Sequence, residues 1–205
     1  MTDFRELLAR RRMTRAYSPE PVERETIERI VGVIRRAPTA GFSQGQRLLV
    51  VTDPQTRRRI AEISDEEGDY VAQGYEPWLS VAPVHVLLLT READYHERYQ
   101  REDKLAVTGG VEVEWPVPYW FVDAGATMML VMLAALDEGL ACGFAGFVPP
   151  QGESVKELLG IPAELWLDGV ITIGRAADDP QESRTTSALT QRRKPLDELV
   201  HWERW

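Results

Sequence analysis

The stretch from Trp120 to Glu138 is apolar almost all the way round a helix, through Met128, Met129, Leu130, Val131, Met132 and Leu133. A helix without a polar face has to be buried on every side, so it must run through the middle of a core. In a chain of 205 residues, that core is about what one domain can enclose. Part of the helix's cover is therefore expected from a second subunit. Its most apolar part, Ala124 to Leu136, is about a third too short to cross a bilayer. No membrane span is expected.

Four short runs can form a sheet against this helix. Arg47 to Thr52 and Val84 to Leu89 read as buried strands; Leu140 to Gly146 reads as a short strand opening into a loop, and Val170 to Ile173 as the last core strand. Asp3 and Glu6 suggest a capped first helix that runs into Arg10 and is ended by Pro19 and Pro21. A second helix is expected over Glu23 to Arg36, with Ile27, Ile30, Val31 and Ile34 on one face, and Pro38 stops it. Asp53-Pro54 starts another, a further helical segment is expected around Tyr70 to Ser80, and Val155, Leu158 and Leu159 belong to a short helix ended by Gly160. Residues 91–119 are charged and aromatic without clean periodicity, which reads as a mobile excursion or lid. The tail from about Ala177 to Trp205 ends in two tryptophans, so it is expected to pack against its own domain or a neighbour. No linker, repeat or low-complexity run divides residues 1–205, and one domain is expected.

Charge and rare residues exclude several functions. Twenty-four Lys and Arg against 33 Asp and Glu give a net charge of −9, which argues against a nucleic-acid binder with a basic face. The single Cys142 allows no internal disulfide, and Met1 to Glu6 carries no signal-type apolar run, so a cytoplasmic location is expected. His85, His96 and His201 have no metal-ligand spacing, and His85 reads as a satisfied strand histidine. Neither G-x-G-x-x-G nor G-x-x-x-x-G-K-[ST] occurs.

Against this acidic background stands Arg10-Arg11-Arg12-Met13-Thr14-Arg15. Guanidinium groups this close repel unless water screens them or an anion sits among them. Arginine is also suited to forked contacts with phosphate oxygens. The run is either a solvated helix end or one side of a phosphate site, with Arg192 and Arg193 near the far end available for the other side.

The order of these features resembles the FMN-dependent nitroreductase family. Its motifs stand here as Arg11-Arg12-Met13-Thr14-Arg15-Ala16-Tyr17 before Pro21-Val22, and as Ala37-Pro38-Thr39-Ala40-Gly41-Phe42-Ser43-Gln44. They continue as Gly139-Leu140-Ala141-Cys142-Gly143-Phe144-Ala145-Gly146, Leu159-Gly160-Ile161-Pro162 and Arg192-Arg193-Lys194-Pro195-Leu196. The resemblance covers essentially the whole chain. It implies an α+β fold, a mixed central sheet flanked by helices, in a domain-swapped homodimer with FMN at the subunit interface. Arg11, Arg12 and Arg15, with the Met13 backbone, would hold the phosphate and ribityl chain, and Arg193 (or Arg192, one register away) would reach the phosphate from the tail. Pro38, Thr39 and Ala40 of the other subunit would lie along the isoalloxazine. Ala145 and Gly146 would present backbone N–H groups to it.

It further implies NADH or NADPH as electron donor and an electron-poor acceptor such as a nitroaromatic or quinone. No side chain would be needed as acid or base. Phe42, where relatives carry Asn or His, is expected to influence acceptor choice, with Trp78 and Trp120 as candidate pocket walls. Same-fold alternatives are reductive dehalogenation, flavin destruction, deazaflavin use, or flavin binding without turnover.

Overall fold

A computed structural model describes residues 3–74, 76–177 and 193–205. Helices α1 (Phe4–Arg10) and α2 (Arg24–Val31, prolonged as a 3-10 turn over Gly32–Arg36) precede strand β1 (Gln46–Val51). Then come α3 (Pro54–Ile63), α4 (Glu66–Asp69), β2 (Val84–Thr90), α5 (Ala93–Tyr99), α6 (Glu102–Thr108) and α7 (Tyr119–Asp137). Strand β3 (Ala141–Ala145), α8 (Gln151–Leu159) and β4 (Trp166–Gly174) follow. The strands form one sheet in the order β1-β2-β4-β3.

Every neighbouring pair in that sheet is antiparallel, so the expected mixed sheet is not found among the described residues. The reason is topological. β2 and β3 run the same way, but β4 inserts between them and pairs antiparallel with each.

The fully buried β2 explains its unbroken apolar run. Val84 and Val86 face a core made with Ile27, Ile30, Val131, Met132, Ala135 and Leu136 of α2 and α7. Leu87 and Leu89 face a second core with Ile60, Trp78, Leu79 and Val155, beneath α3 and α8. The apolar helix is α7, 19 residues long and apolar enough by length and composition to cross a membrane. It contacts all four strands and fully buries Val131, Met132 and Ala135, which makes it the core helix expected. Its first turns are different: Phe121 and Val122 are exposed in the single chain.

Two further expectations are corrected. The first helix stops at Arg10, well before Pro19, because Arg11 turns to an extended conformation with ψ 121°. No helix spans Tyr70 to Ser80 beyond a single 3-10 turn over Val71–Gln73. The buried Glu66 carboxylate takes the N–H groups of Trp78 (2.7 Å), Leu79 (2.5 Å) and Ser80 (3.2 Å) instead. Backbone donors claimed by a side chain cannot join a helical ladder.

The insert over residues 91–119, where the sequence has no clean periodicity, carries the two short helices α5 and α6. Arg91 and Arg47 both pair with Asp94. Trp115 packs its ring against Tyr95, Tyr99 and Trp120, and its indole N–H donates to Glu112 at 2.9 Å.

Two carboxyl groups, the buried Glu66 and the half-buried Asp168, carry stability predictions. Glu66→Ala should destabilise the fold by roughly 3 kcal/mol or more, because several N–H groups lose a charged acceptor; Glu66→Gln should lose less in urea unfolding. Asp168 accepts from Thr90 Oγ1 at 2.7 Å, and burial raises its pKa from 3.8 to about 6. The folded state therefore favours the protonated form. Its stability contribution is full below about pH 4 and is lost as pH rises through about 6. Asp168→Asn should raise Tm relative to the parent chain at pH 7.5, and the difference should vanish near pH 4.

Candidate functional site

The arginine run leaves α1 and is fastened to the far edge of the sheet. Thr14 N–H donates to the Cys142 carbonyl of β3 at 2.9 Å, Ser18 N–H to the Arg175 carbonyl at 3.0 Å, and Ala177 N–H to the Ala16 carbonyl at 3.1 Å. Tyr17 forms a bridge with Ala176. Its buried hydroxyl lies 2.8 Å from Thr172 Oγ1 and donates to the Thr14 carbonyl at 3.0 Å, and burial pushes its pKa well above the ordinary phenol value. Gly143 is required here for space: a Cβ on it would collide with the Thr14 carbonyl. The backbone of residues 14–17 is thus fixed, which aims the neighbouring arginines.

Arg10, Arg11, Arg12, Met13, Thr14, Arg15 and Ala16 line one side of a cavity of about 910 Å³, and Arg193 lines it from the tail. The remaining wall comes from the end of α7 and the start of β3, through Leu136, Gly139, Leu140 and Ala141, and from Ala176 and Ala177 after β4. The two basic ends of the chain therefore meet at one concavity.

The charge there has no carboxylate partner among the described residues. Among the described residues, Arg24, Arg29, Arg47, Arg59, Arg91, Arg98 and Arg175 each pair with a carboxylate. None of the five cavity arginines does. Arg12 Nη1 donates to the Ala9 carbonyl at 2.8 Å. Arg15 Nε is buried without a partner, and its guanidinium carbon sits 5.5 Å from the Trp78 ring centre, a cation–π contact that braces it. A buried guanidinium donor without an acceptor is costly. The donor set fits a phosphate, which would supply forked acceptors and neutralise the cluster.

The other anticipated residues fall elsewhere. Pro38 is exposed and Thr39 and Ala40 are half-buried, and none of the three lines the arginine cavity. Within one chain they do not complete it. Ala145 ends β3 half-buried, and Gly146 is exposed with open space where a side chain would be. Phe42 is 71% exposed and borders a separate cavity of about 480 Å³ with Ser43, Gln44, Asp94, Glu97, Arg98, Arg101 and Asp103.

Trp78 and Trp120 are corrected from pocket wall to core. Trp78 is fully buried under Arg15 and Tyr70, and Trp120 is buried among Tyr95, Trp115 and His96. Large rings were the only sequence signal for a wall, and burial claims both. Arg192 lies outside the described residues.

Among the described residues, no histidine, cysteine or carboxylate lines the arginine cavity. His85 is buried in β2, with Nε2 2.7 Å from the Leu79 carbonyl, and burial lowers its pKa to about 4. Cys142 is buried, with its pKa raised to about 11 by desolvation. Among the described residues no cluster suited to a metal ion occurs. The arrangement is equipped to bind and orient an anion.

Comparison with known proteins agrees in outline. The sequence model of the Nitroreductase family matches residues 8–175. The chain is 28% identical over 183 residues to FMN reductase [NAD(P)H] of Bacillus subtilis (strain 168), covering 87% of this chain and 68% of that protein. It is 25% identical over 215 residues to iodotyrosine deiodinase 1 of Rattus norvegicus, covering 97% and 68%. The solved structure of nitroreductase A from Vibrio parahaemolyticus shares the fold with a TM-score of 0.72 at 19% identity, covering 100% of this chain and 77% of that one.

Tyr17→Phe should lower stability by about 1 kcal/mol, because the contact to Thr172 Oγ1 and the donation to Thr14 are both lost. Gly143→Val should do more, by forcing residues 14–17 off β3. Limited proteolysis within residues 10–18 should be faster in Gly143→Val than in the parent chain at a temperature where both remain folded.

Proposed function

Because the chain belongs to the Nitroreductase family, we propose that it is an FMN-dependent oxidoreductase. In this reading it acts as a homodimer, takes reducing equivalents from NADH or NADPH, and passes them to electron-poor acceptors such as nitroaromatics or quinones. The observation that carries the proposal is the meeting of Arg11, Arg12 and Arg15 with Arg193 at one cavity, where none of them pairs with a carboxylate among the described residues.

Arg11, Arg12, Arg15 and Arg193 would bind the phosphate as charge-assisted donors, with the Met13 backbone beside them. Ala145 and Gly146 would offer backbone N–H groups to the ring, and Pro38, Thr39 and Ala40 of a second copy would lie against it. When bound, the flavin supplies the hydride and electron transfer. The chain binds it, orients it and shapes the space beside it, and Phe42 would contribute an aromatic face to acceptor choice. The two-copy reading is supported by surface that one chain leaves uncovered: Phe121 and Val122 on α7, and Leu196, Trp202 and Trp205 in the tail.

A second reading keeps this site and changes the acceptor to a halogenated aromatic that is reductively dehalogenated. It is favoured by the similarity to rat iodotyrosine deiodinase 1 over 97% of the chain. Rapid-mixing reoxidation of the reduced protein by nitroaromatic, quinone and iodoaromatic acceptors separates the two, since only true acceptors reoxidise it quickly.

The purified protein should be yellow, release FMN on denaturation, and bleach anaerobically with NADH or NADPH. A protein that neither retains nor takes up FMN overturns the proposal, and persistent colour with both nucleotides would leave flavin binding without turnover. Arg15→Glu should weaken FMN binding by about tenfold or more, the loss of a charge-assisted contact on the order of 1.5–3 kcal/mol, measured by fluorescence titration of the apoprotein.

A further inference from the structure

The cavity beside Phe42 has walls from two distant parts of the chain. One is the loop through Phe42, Ser43 and Gln44; the other is the insert, through Asp94 and Arg98 of α5 and its surroundings. The loop is unusual in its backbone. Gly41 (φ 61°), Phe42 (φ 61°) and Gln44 (φ 55°) all take left-handed conformations, which cost free energy for the two residues with a Cβ. Such a loop persists only where its surroundings over-determine it.

A buried carboxylate supplies that constraint. Asp123, 9% exposed on α7, accepts from Ala40 N–H at 2.8 Å and from the Tyr95 hydroxyl at 2.7 Å, both at Oδ2. The Tyr95 oxygen in turn accepts from Gln46 Nε2 at 2.7 Å. Beside this relay, Arg98 Nε donates to the Gly41 carbonyl at 2.9 Å. The Tyr99 ring fills the space where a side chain on residue 41 would lie. One oxygen atom thus ties the core helix, the loop and the insert together.

We infer that Asp123 is a positioning residue for the electron acceptor: by holding Ala40 and Tyr95 at one carboxylate, it sets the spacing between the Phe42 loop and the insert. This rests on the oxidoreductase reading, in which Ala40 lies against the cofactor and Phe42 beside the acceptor. Asp123 acts through the loop and is not itself in contact with reacting atoms. The Tyr95 hydroxyl joins the insert to this carboxylate, and Arg98 joins it directly to the loop, so the positions of α5 and Ala40 are coupled through both contacts.

The test compares Asp123→Ala, Asp123→Asn and Tyr95→Phe with the parent chain by amide hydrogen exchange over residues 38–44, and by acceptor KM and kcat expressed per bound flavin, with a quinone as the probe. Exchange should accelerate about tenfold or more in Asp123→Ala, as a charged acceptor is lost, and less in the other two, which keep part of the relay. Acceptor KM should rise about fivefold or more with kcat changed less, while FMN content stays at the parent level; Asp123→Asn should recover most of the loss. Unchanged protection in the variants overturns the proposal. So does an unchanged KM per flavin where exchange is faster, which would make the role purely structural. Should Asp123→Ala not fold, Tyr95→Phe decides alone, since it keeps the Asp123 contact to Ala40 and removes only the Tyr95 hydroxyl's bonds to Asp123 and Gln46. A parent protein that binds no FMN refutes the oxidoreductase reading separately, and with it the acceptor role, whatever the exchange data show for the loop.

Discussion

The contact of α7 with all four strands is the constraint from which the rest of the architecture follows. A 19-residue helix with fully buried Val131, Met132 and Ala135 leaves no room for a polar stripe along its middle. The sheet has to lie along it, and α1 and α2 have to close the other side. The two ends of the helix then differ. The C-terminal end dives beside the arginine cavity at Leu136 and Gly139, and the N-terminal end surfaces with Phe121 and Val122 exposed. One helix therefore reaches from the candidate anion site to the surface where a second copy would add its apolar cover.

Most of the frame was legible because its signals were strong and local. The all-apolar helix, the β-branched and leucine-rich strands, the Asp53-Pro54 start and the Gly160 stop each have one reading in physical terms, and each stands within a residue or two of its expected place except the last strand, which begins at Trp166, four residues before the expected Val170. What escaped depended on contacts distant in sequence. Glu66 redirects three backbone donors of residues 78–80, and nothing in the local pattern there announces a carboxylate twelve residues away. α5 and α6 are seven residues each, about two turns, too short for periodicity to rise above their charge.

The site divides in the same way. The arginine run was conspicuous from composition alone, but its meeting with Arg193 across the fold rests on a topology that brings the chain's two ends to the same edge of the sheet. Tyr17 and Gly143 were inside motifs already singled out, yet their work, one anchoring and one leaving space, is visible only with β3 and β4 in place. Trp78 and Trp120 show the converse. Aromatic size marks a residue as energetically important without saying whether it faces a cavity or a core.

An acidic chain whose five cavity arginines have no carboxylate partner among the described residues employs its visible carboxylates elsewhere. Here many are committed to backbone donors. Asp3 and Asp53 cap helices, Glu66 holds residues 78–80, and Asp123 holds Ala40. Others pair with arginines of the insert and of α2. These tasks occupy carboxylates that could otherwise pair with the cavity arginines, and Coulomb attraction between exposed charges more than a Debye length apart is largely screened at physiological salt. The arginine cluster is thus a local feature of a chain whose net charge is −9. A binding site for a small anion does not require a basic protein; it requires that the protein's own anions be held somewhere else.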